Sequence, residues 1–275
     1  MSARASGFGD LLRGWRRRRR LSQLDLAMQV EVSQRHLSFV ESGRSAPSRQ
    51  MVLRLAAWLE VPLRERNAML VAAGFAPEYS DCAFDAPAFA LAREVVQRIL
   101  DGHEPYPALA VDRHWTLLSA NAPMMRLLDG VAASLLEPPV NVLRVSLHPD
   151  GLGPKIVNYR EWRTLIIAQL ERQVAASADA SLADLVDELR ALPVPDGARP
   201  YQPAAGADFV GIAIPLELLT DAGVLSFIGT ITVFGTPIDI TLSELAIESF
   251  FPADEFTAAT MHALNGGAIR SPPQS

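Results

Sequence analysis

Through the first 75 residues apolar side chains recur at helical spacing, with serines at capping positions. That pattern permits little besides a compact bundle of short helices. Phe8, Leu11, Leu12 and Trp15 share one face of a first helix over about 8–19. Ser22 opens Ser-Gln-Leu-Asp, a serine cap with an acidic residue three positions on, ahead of Leu24, Ala27 and Val30. Ser33 caps a third helix over 34–42 with Leu37 and Val40 inward, and Gly43 supplies its stop. Ser48 caps a fourth helix whose inner face includes Val52, Leu55, Ala56 and Leu59. A fifth starts near Pro62 and ends before Gly74.

Ala27 is a small apolar residue in the second helix. With Leu37 and Val40 inward, the third helix turns Gln34, Arg35 and Ser38 outward, with His36 and Phe39 at the edges of that face. Charge is uneven along the chain. Residues 1–75 hold 13 arginines and 6 acidic residues, while the remainder holds 12 basic and 25 acidic ones. A basic head on an acidic body suits a head that meets a polyanion.

The residues Leu21, Ser22, Gln23, Leu26, Ala27, Val32, Ser33, Leu37, Ser38, Val40, Glu41, Gly43, Arg44, Pro47 and Ser48 stand at the spacing of a known motif. They resemble the helix-turn-helix of the Cro and phage-repressor superfamily, the Xre type. One departure is Glu31 at the turn, where glycine is usual: either a left-handed glutamate costs roughly 1 kcal/mol, or the turn differs. The resemblance implies that the N-terminal part of the third helix enters the major groove of duplex DNA. Gln34 and Arg35 would then read base edges, with Ser33, His36, Ser38 and Phe39 beside them. Gln23 matches the family's phosphate-contacting glutamine, and Arg16, Arg20 and Arg44 would hold the backbone and make binding salt-dependent. For Phe39, half-buried packing and a thymine-methyl contact remain open. Glu41 is expected to pair internally, with a backbone group or an arginine.

Residues 76–86 lack periodicity and read as a linker, and Cys82, the one cysteine, lies within it. Residues 87–265 read as a second domain and 266–275 as a tail. A helix over 87–101 precedes a hairpin over 108–112 and 115–120; Asn121 then caps a helix through Leu128. A short helix follows Asn141, a long one spans 161–176, and another begins at Ser181, with Asp184 at its third position. Beyond a Pro- and Gly-rich loop, three strands are expected over 210–219, 224–234 and 243–251, with Thr220-Asp221-Ala222-Gly223 as the first turn. The whole is a multidomain chain: an all-α five-helix head, then an α+β domain whose five-stranded antiparallel sheet carries helices on one face.

That order resembles a PAS-like domain. Narrower strings resemble the MmyB-like ligand-binding domain fused to this type of helix-turn-helix. They are residues 103–108, 112–115, 141–144, 147–151, 161–162 and 249–254, together with the string 62–67. The resemblance implies a cavity between the sheet and its helices. Its walls would come from Trp115, Leu117, Leu143, Trp162, Ile166 and strand residues such as Ile212, Ile214, Phe227 and Ile231. Tyr106, Asn121, Asn141, Arg144 and His148 are the candidate polar anchors. A fatty acid would suit such a site, its carboxylate near Arg144 or His148. Against this, Trp115 and Trp162 can simply be core, Asn121 and Asn141 can cap helices, and His148 can bond locally beside Pro149.

Other function classes find no support in the residues. No nucleophile elbow, P-loop, dinucleotide fingerprint or His-Glu-x-x-His is present. The five histidines are scattered, so no resident metal or cofactor is expected, although a haem sensor using His103, His114 or His148 is a competing idea. The most apolar stretch, 209–240, is broken by Glu217, Asp221, Gly223, Gly235 and Pro237, too short for a membrane span of roughly 20 residues. No signal peptide is visible. The expectation is a cytoplasmic, non-enzymatic regulator that binds a two-fold operator in double-stranded DNA as a homodimer. A small apolar ligand such as a fatty acid would modulate it. The alternative is a DNA-binding regulator whose C-terminal domain only oligomerises or docks another protein.

Overall fold

The computed structural model describes residues 7–177, 179–202, 214–235 and 239–266. The chain divides into two compact units. Among the described residues, 7–82 with 175–177 and 239–243 form the first; 83–174, 179–202, 214–235 and 244–266 form the second.

In the first unit five helices form: α1 (Phe8–Arg18), α2 (Gln23–Gln29), α3 (Gln34–Glu41), α4 (Arg49–Trp58) and α5 (Leu63–Ala72). Ser22 and Asp25 complete a reciprocal capping box, and Ser33 and Ser48 each accept a backbone N–H three residues on. Leu12, Leu26, Leu37, Val52, Leu55, Leu59, Met69 and Leu70 are wholly buried in one core. Each such leucine stabilises the unit by about 1.5–3 kcal/mol. The beginning of the expected linker is not loose. Asn67 on α5 accepts the N–H groups of Glu78 and Tyr79 and donates to the Tyr79 carbonyl.

The second unit is built on a five-stranded antiparallel sheet in the order β2-β1-β5-β4-β3. Its strands are β1 (Ala108–Val111), β2 (Leu117–Ala120), β3 (Leu216–Thr220), β4 (Gly223–Val233) and β5 (Ala246–Pro252). The turn 220–223 joins β3 to β4, with Gly223 at φ 123°. The expected start of the third strand, 210–213, lies outside the described residues. Helix α6 (Ala90–Asp101) precedes the sheet, after a 3-10 turn at 87–89. Helices α7 (Ala122–Leu127), α8 (Val142–Leu147), α9 (Tyr159–Ser177) and α10 (Ala180–Ala191) fill the stretch between β2 and β3. A single-turn α11 (Ile240–Ser243) falls in the first unit, and α12 (Glu255–Gly266) follows β5.

Two details differ from expectation. Helices cover both faces of the sheet near β1: Ala108 and Ala110 pack with Val96 and Leu100 of α6, while Leu109 and Val111 belong to the larger core on the other face. The four-residue apolar run of β1 is therefore buried on both sides, unlike a half-buried strand. The cap of α10 is Asp179 rather than Ser181, because the Asp179 carboxylate accepts the Ser181 N–H at 2.9 Å and starts the helix earlier.

Candidate nucleic-acid interface and effector cavity

In the first unit Ala27 of α2 is 1% exposed. The turn between α2 and α3 resolves the alternative left by Glu31: it adopts φ 55°, the left-handed conformation, and remains exposed. The next residue, Val32, donates its N–H to the Ala27 carbonyl at 2.9 Å. Along α3, Leu37, Val40 and Glu41 are buried, whereas Ser33, Gln34 and Arg35 are exposed and His36, Ser38 and Phe39 are half-buried. The Arg35 guanidinium lies 5.4 Å from the centroid of the Phe39 ring, so Phe39 forms a shelf beneath it.

The expected backbone-holding arginines separate. Arg20 and Arg44 are exposed. Arg16 is buried, and its guanidinium is engaged inside the unit: Nε and Nη2 donate to the two Glu41 oxygens at 2.6 and 3.0 Å, and Nη1 donates to the Leu21 carbonyl at 2.8 Å. With its fork facing inward, Arg16 cannot hold a phosphate in this arrangement. Gln23, half-buried at the start of α2, donates to Glu41 Oε2 at 2.7 Å. Burial alone would raise the Glu41 carboxyl, but hydrogen bonds from Arg16 and Gln23, with the charges of Arg16 and Arg13, hold it below its ordinary value. Other members of the arginine run are anchored as well: Arg18 sits over Trp15, and Arg19 donates to the Leu59 and Glu60 carbonyls.

The second unit encloses a mostly apolar cavity of about 70 Å³ between the sheet and helices α8 and α9. Trp115, Leu117, Leu143, Trp162 and Ile166 line it, together with Leu109, Leu216 and Phe250. Trp115 has φ 65°, a costly conformation for a bulky residue. The Asp112 carboxylate sustains it by accepting the His114 and Thr116 N–H groups, and the indole N–H donates to Gln173 at 2.9 Å. Trp162 donates to Ser146 Oγ at 3.0 Å.

The anticipated polar anchors do not converge on this space. Asn121, 1% exposed, caps α7 through the Met124 N–H, accepts the Ala108 N–H, and donates to the Leu100 and Tyr106 carbonyls. Asn141 caps α8 and donates to the His114 carbonyl. Arg144 forms a two-pronged pair with Glu188, and His148 accepts the Asp150 N–H. The Tyr106 hydroxyl meets His262 at 3.4 Å. Phe227 is fully buried behind the wall, edge-on to Phe250, and Ile231 is 46% exposed. Ile212 lies outside the described residues. None of His103, His114 and His148 is on the described wall, and no metal-binding group of His, Cys, Asp or Glu occurs among the described residues.

Polarity on the described wall comes instead from Ser146, Gln169 and Glu248. Burial pushes the Glu248 carboxyl up to about 7. Sequence reading passed over Glu248, although the signal existed. It stands in phase with Ala246 and Phe250 on one face of β5, where an inward position calls for an apolar residue.

Comparison with family models finds two matches. Residues 8–69 match a helix-turn-helix domain, and residues 92–264 match the MmyB-like transcription regulator ligand binding domain. Among curated proteins no match is found.

Proposed function

Starting from the MmyB-like transcription regulators, the family to which this chain belongs, we propose that α3 reads operator DNA and that an effector in the cavity of the second unit modulates that reading. The chain is a ligand-responsive transcription regulator with a helix-turn-helix DNA-binding domain. The observation that carries the finer reading is the division of α3: Leu37 and Val40 are consumed by packing while Gln34 and Arg35 stand exposed at its N-terminal end. Glutamine and arginine there can pair with adenine and guanine edges in the major groove. Arg20, Arg44 and Gln23 are assigned to the sugar-phosphate backbone.

A two-fold operator calls for a homodimer, with one α3 in each half-site. The effector is a small, mainly apolar molecule held by Trp115, Leu143, Trp162 and Ile166. The cavity holds only a handful of waters at about 10–15 Å³ each. A long fatty acid therefore enters only if the helices part around it, a change through which ligand binding would shift DNA affinity. No helix of the described residues is long and apolar enough to cross a membrane. We place the protein in the cytoplasm and assign catalysis to neither domain.

The test is footprinting of its own promoter region, followed by affinity measurements at several salt concentrations with and without molecules extracted from the purified protein. A protected two-fold site whose affinity responds to the extract supports the proposal. Absence of salt-sensitive binding to any duplex removes it. A protected site with no bound molecule in native mass spectrometry and no response to any extract favours the second reading, in which the C-terminal domain only oligomerises or docks a protein.

A further inference from the structure

Glu248 is the one ionisable side chain on the described wall of the cavity. It lies in the middle of β5, paired in register with Leu109 of β1 and Ile231 of β4, and shares its face with Phe250. Among the described residues no hydrogen-bond donor and no cation reaches its carboxylate, in contrast to the buried Glu41, which Arg16 and Gln23 satisfy. Leaving a carboxyl in apolar surroundings without a partner is costly, and a strand of this kind favours valine, isoleucine or phenylalanine. The side chain is half-buried, and no contact among the described residues accounts for a glutamate at this position. A cavity-lining acceptor without an internal partner does have a use if a ligand supplies the donor.

The backbone leaves room for such a donor. Gly229 of β4 lies opposite Phe250 in the register, and a Cβ built on it would stand 3.6 Å from Glu248 Oε1. The flank of the carboxylate is therefore free of a side chain from that position. Leu109, Leu216 and Phe250 line the wall with it, and the other polar side chains on the wall are the uncharged Ser146 and Gln169.

We propose that the cavity selects a small apolar molecule with a hydrogen-bond-donating head, an alcohol, an amine or an amide N–H, and that Glu248 is the acceptor that holds that head. This rests on the reading of the cavity as the effector site and names the chemistry that site prefers. A ligand with an ionised carboxylate brings like charge against Glu248, while Arg144, which could offset it, is paired with Glu188 away from the wall.

The experiment compares 1-octanol, octylamine and octanoate, which share a chain and differ in the head. Binding to the full chain is measured by calorimetry at about pH 8 for the wild type, Glu248→Gln and Glu248→Leu. Octanol and octylamine are expected to bind the wild type about tenfold or more tighter than octanoate, the ratio that one hydrogen bond to a charged group supports. In Glu248→Gln the amide can donate to a carboxylate, so octanoate gains and the gap closes. Glu248→Leu loses the ranking as well, and either variant suffices should the other fail to fold. Octanoate binding the wild type as tightly as octanol overturns the assignment of the head group, as does a ranking unchanged in the variants; the effector-site reading survives both. If the folded wild type binds none of the three, the effector-site reading falls and the head-group assignment falls with it.

Discussion

Arg16 and Glu41 meet in the interior of the first unit, side chains 11% and 1% exposed, with Nε 2.6 Å from Oε1. They are 25 residues apart and tie the end of α1 to the end of α3. The arginine expected to grip DNA is instead engaged inside the unit, where it joins α1 to α3. A buried pair of this kind is weak evidence of net stabilisation, but removing one partner strands the other charge.

Glu41→Gln is accordingly expected to destabilise the first unit by about 3–5 kcal/mol, because Arg16 keeps its charge without a counter-ion. Its sign with pH follows from the lowered carboxyl. The unfolded chain binds the proton more readily, so the stabilisation is present at neutral pH and is lost as pH falls through and below the ordinary glutamate value of 4.5. Chemical denaturation of wild type and variant between neutral and acid pH checks this. Equal stability at neutral pH contradicts it.

Glu31→Gly should stabilise the first unit by roughly 0.5–1 kcal/mol, since a non-glycine residue at φ 55° carries strain that glycine lacks, less the greater freedom glycine has when unfolded. The measurement is the urea midpoint. A drop in stability would mean that the glutamate side chain contributes something beyond the turn.

Arg35→Ala is expected to weaken binding to the operator by about 1–3 kcal/mol while leaving random duplex nearly unaffected. Phe39→Ala removes the shelf under Arg35 and should reproduce part of that loss. Arg44→Ala should instead weaken all duplexes alike and flatten the salt dependence by about one unit of slope. Competition titrations against specific and random duplexes separate the two patterns.

Glu248→Gln should stabilise the second unit at about pH 8 by roughly 1–3 kcal/mol and change little near pH 4. The carboxyl is raised to about 7, so the folded protein holds its proton more tightly than the unfolded chain does. Wild-type stability then declines as pH rises from 4.5 to about 7 and levels off above, whereas the amide variant lacks that decline. Thermal melts of both proteins across this range are the check, and parallel curves would contradict the burial argument.

Asn121→Ala should cost the second unit about 2–4 kcal/mol, because one buried side chain serves four backbone groups from α6, α7, β1 and the approach to it. If Asn121 instead mattered chiefly to the effector, the variant would melt like the wild type and lose ligand affinity.

Much of the architecture was legible because its signals are local. Serine caps act within three residues, and the periodicity of α1 to α5 shows in windows of a dozen. The turn 220–223 announces itself by its glycine. The cap of α10 was misplaced because Asp179 and Ser181 are equally good local candidates, and only the position of the chain selects one. Coverage of β1 on both sides was missed because a run of four apolar residues does not reveal how many layers enclose it.

For the sites, residue order by itself determined which edge of α3 faces outward, whereas Trp115 and Trp162 were placed at a cavity only through the resemblance to the MmyB-like domain, with core packing left open. Helical spacing suffices for the edge of α3. The tertiary structure alone decided the fate of the charged groups. Arg16 is inside and Arg20 outside although both belong to one arginine run, and among the described residues Arg144 is paired while Glu248 is not. Burial and partnership depend on what distant segments pack against a residue, and the energy of a charge changes more with that surrounding than with its neighbours in the chain.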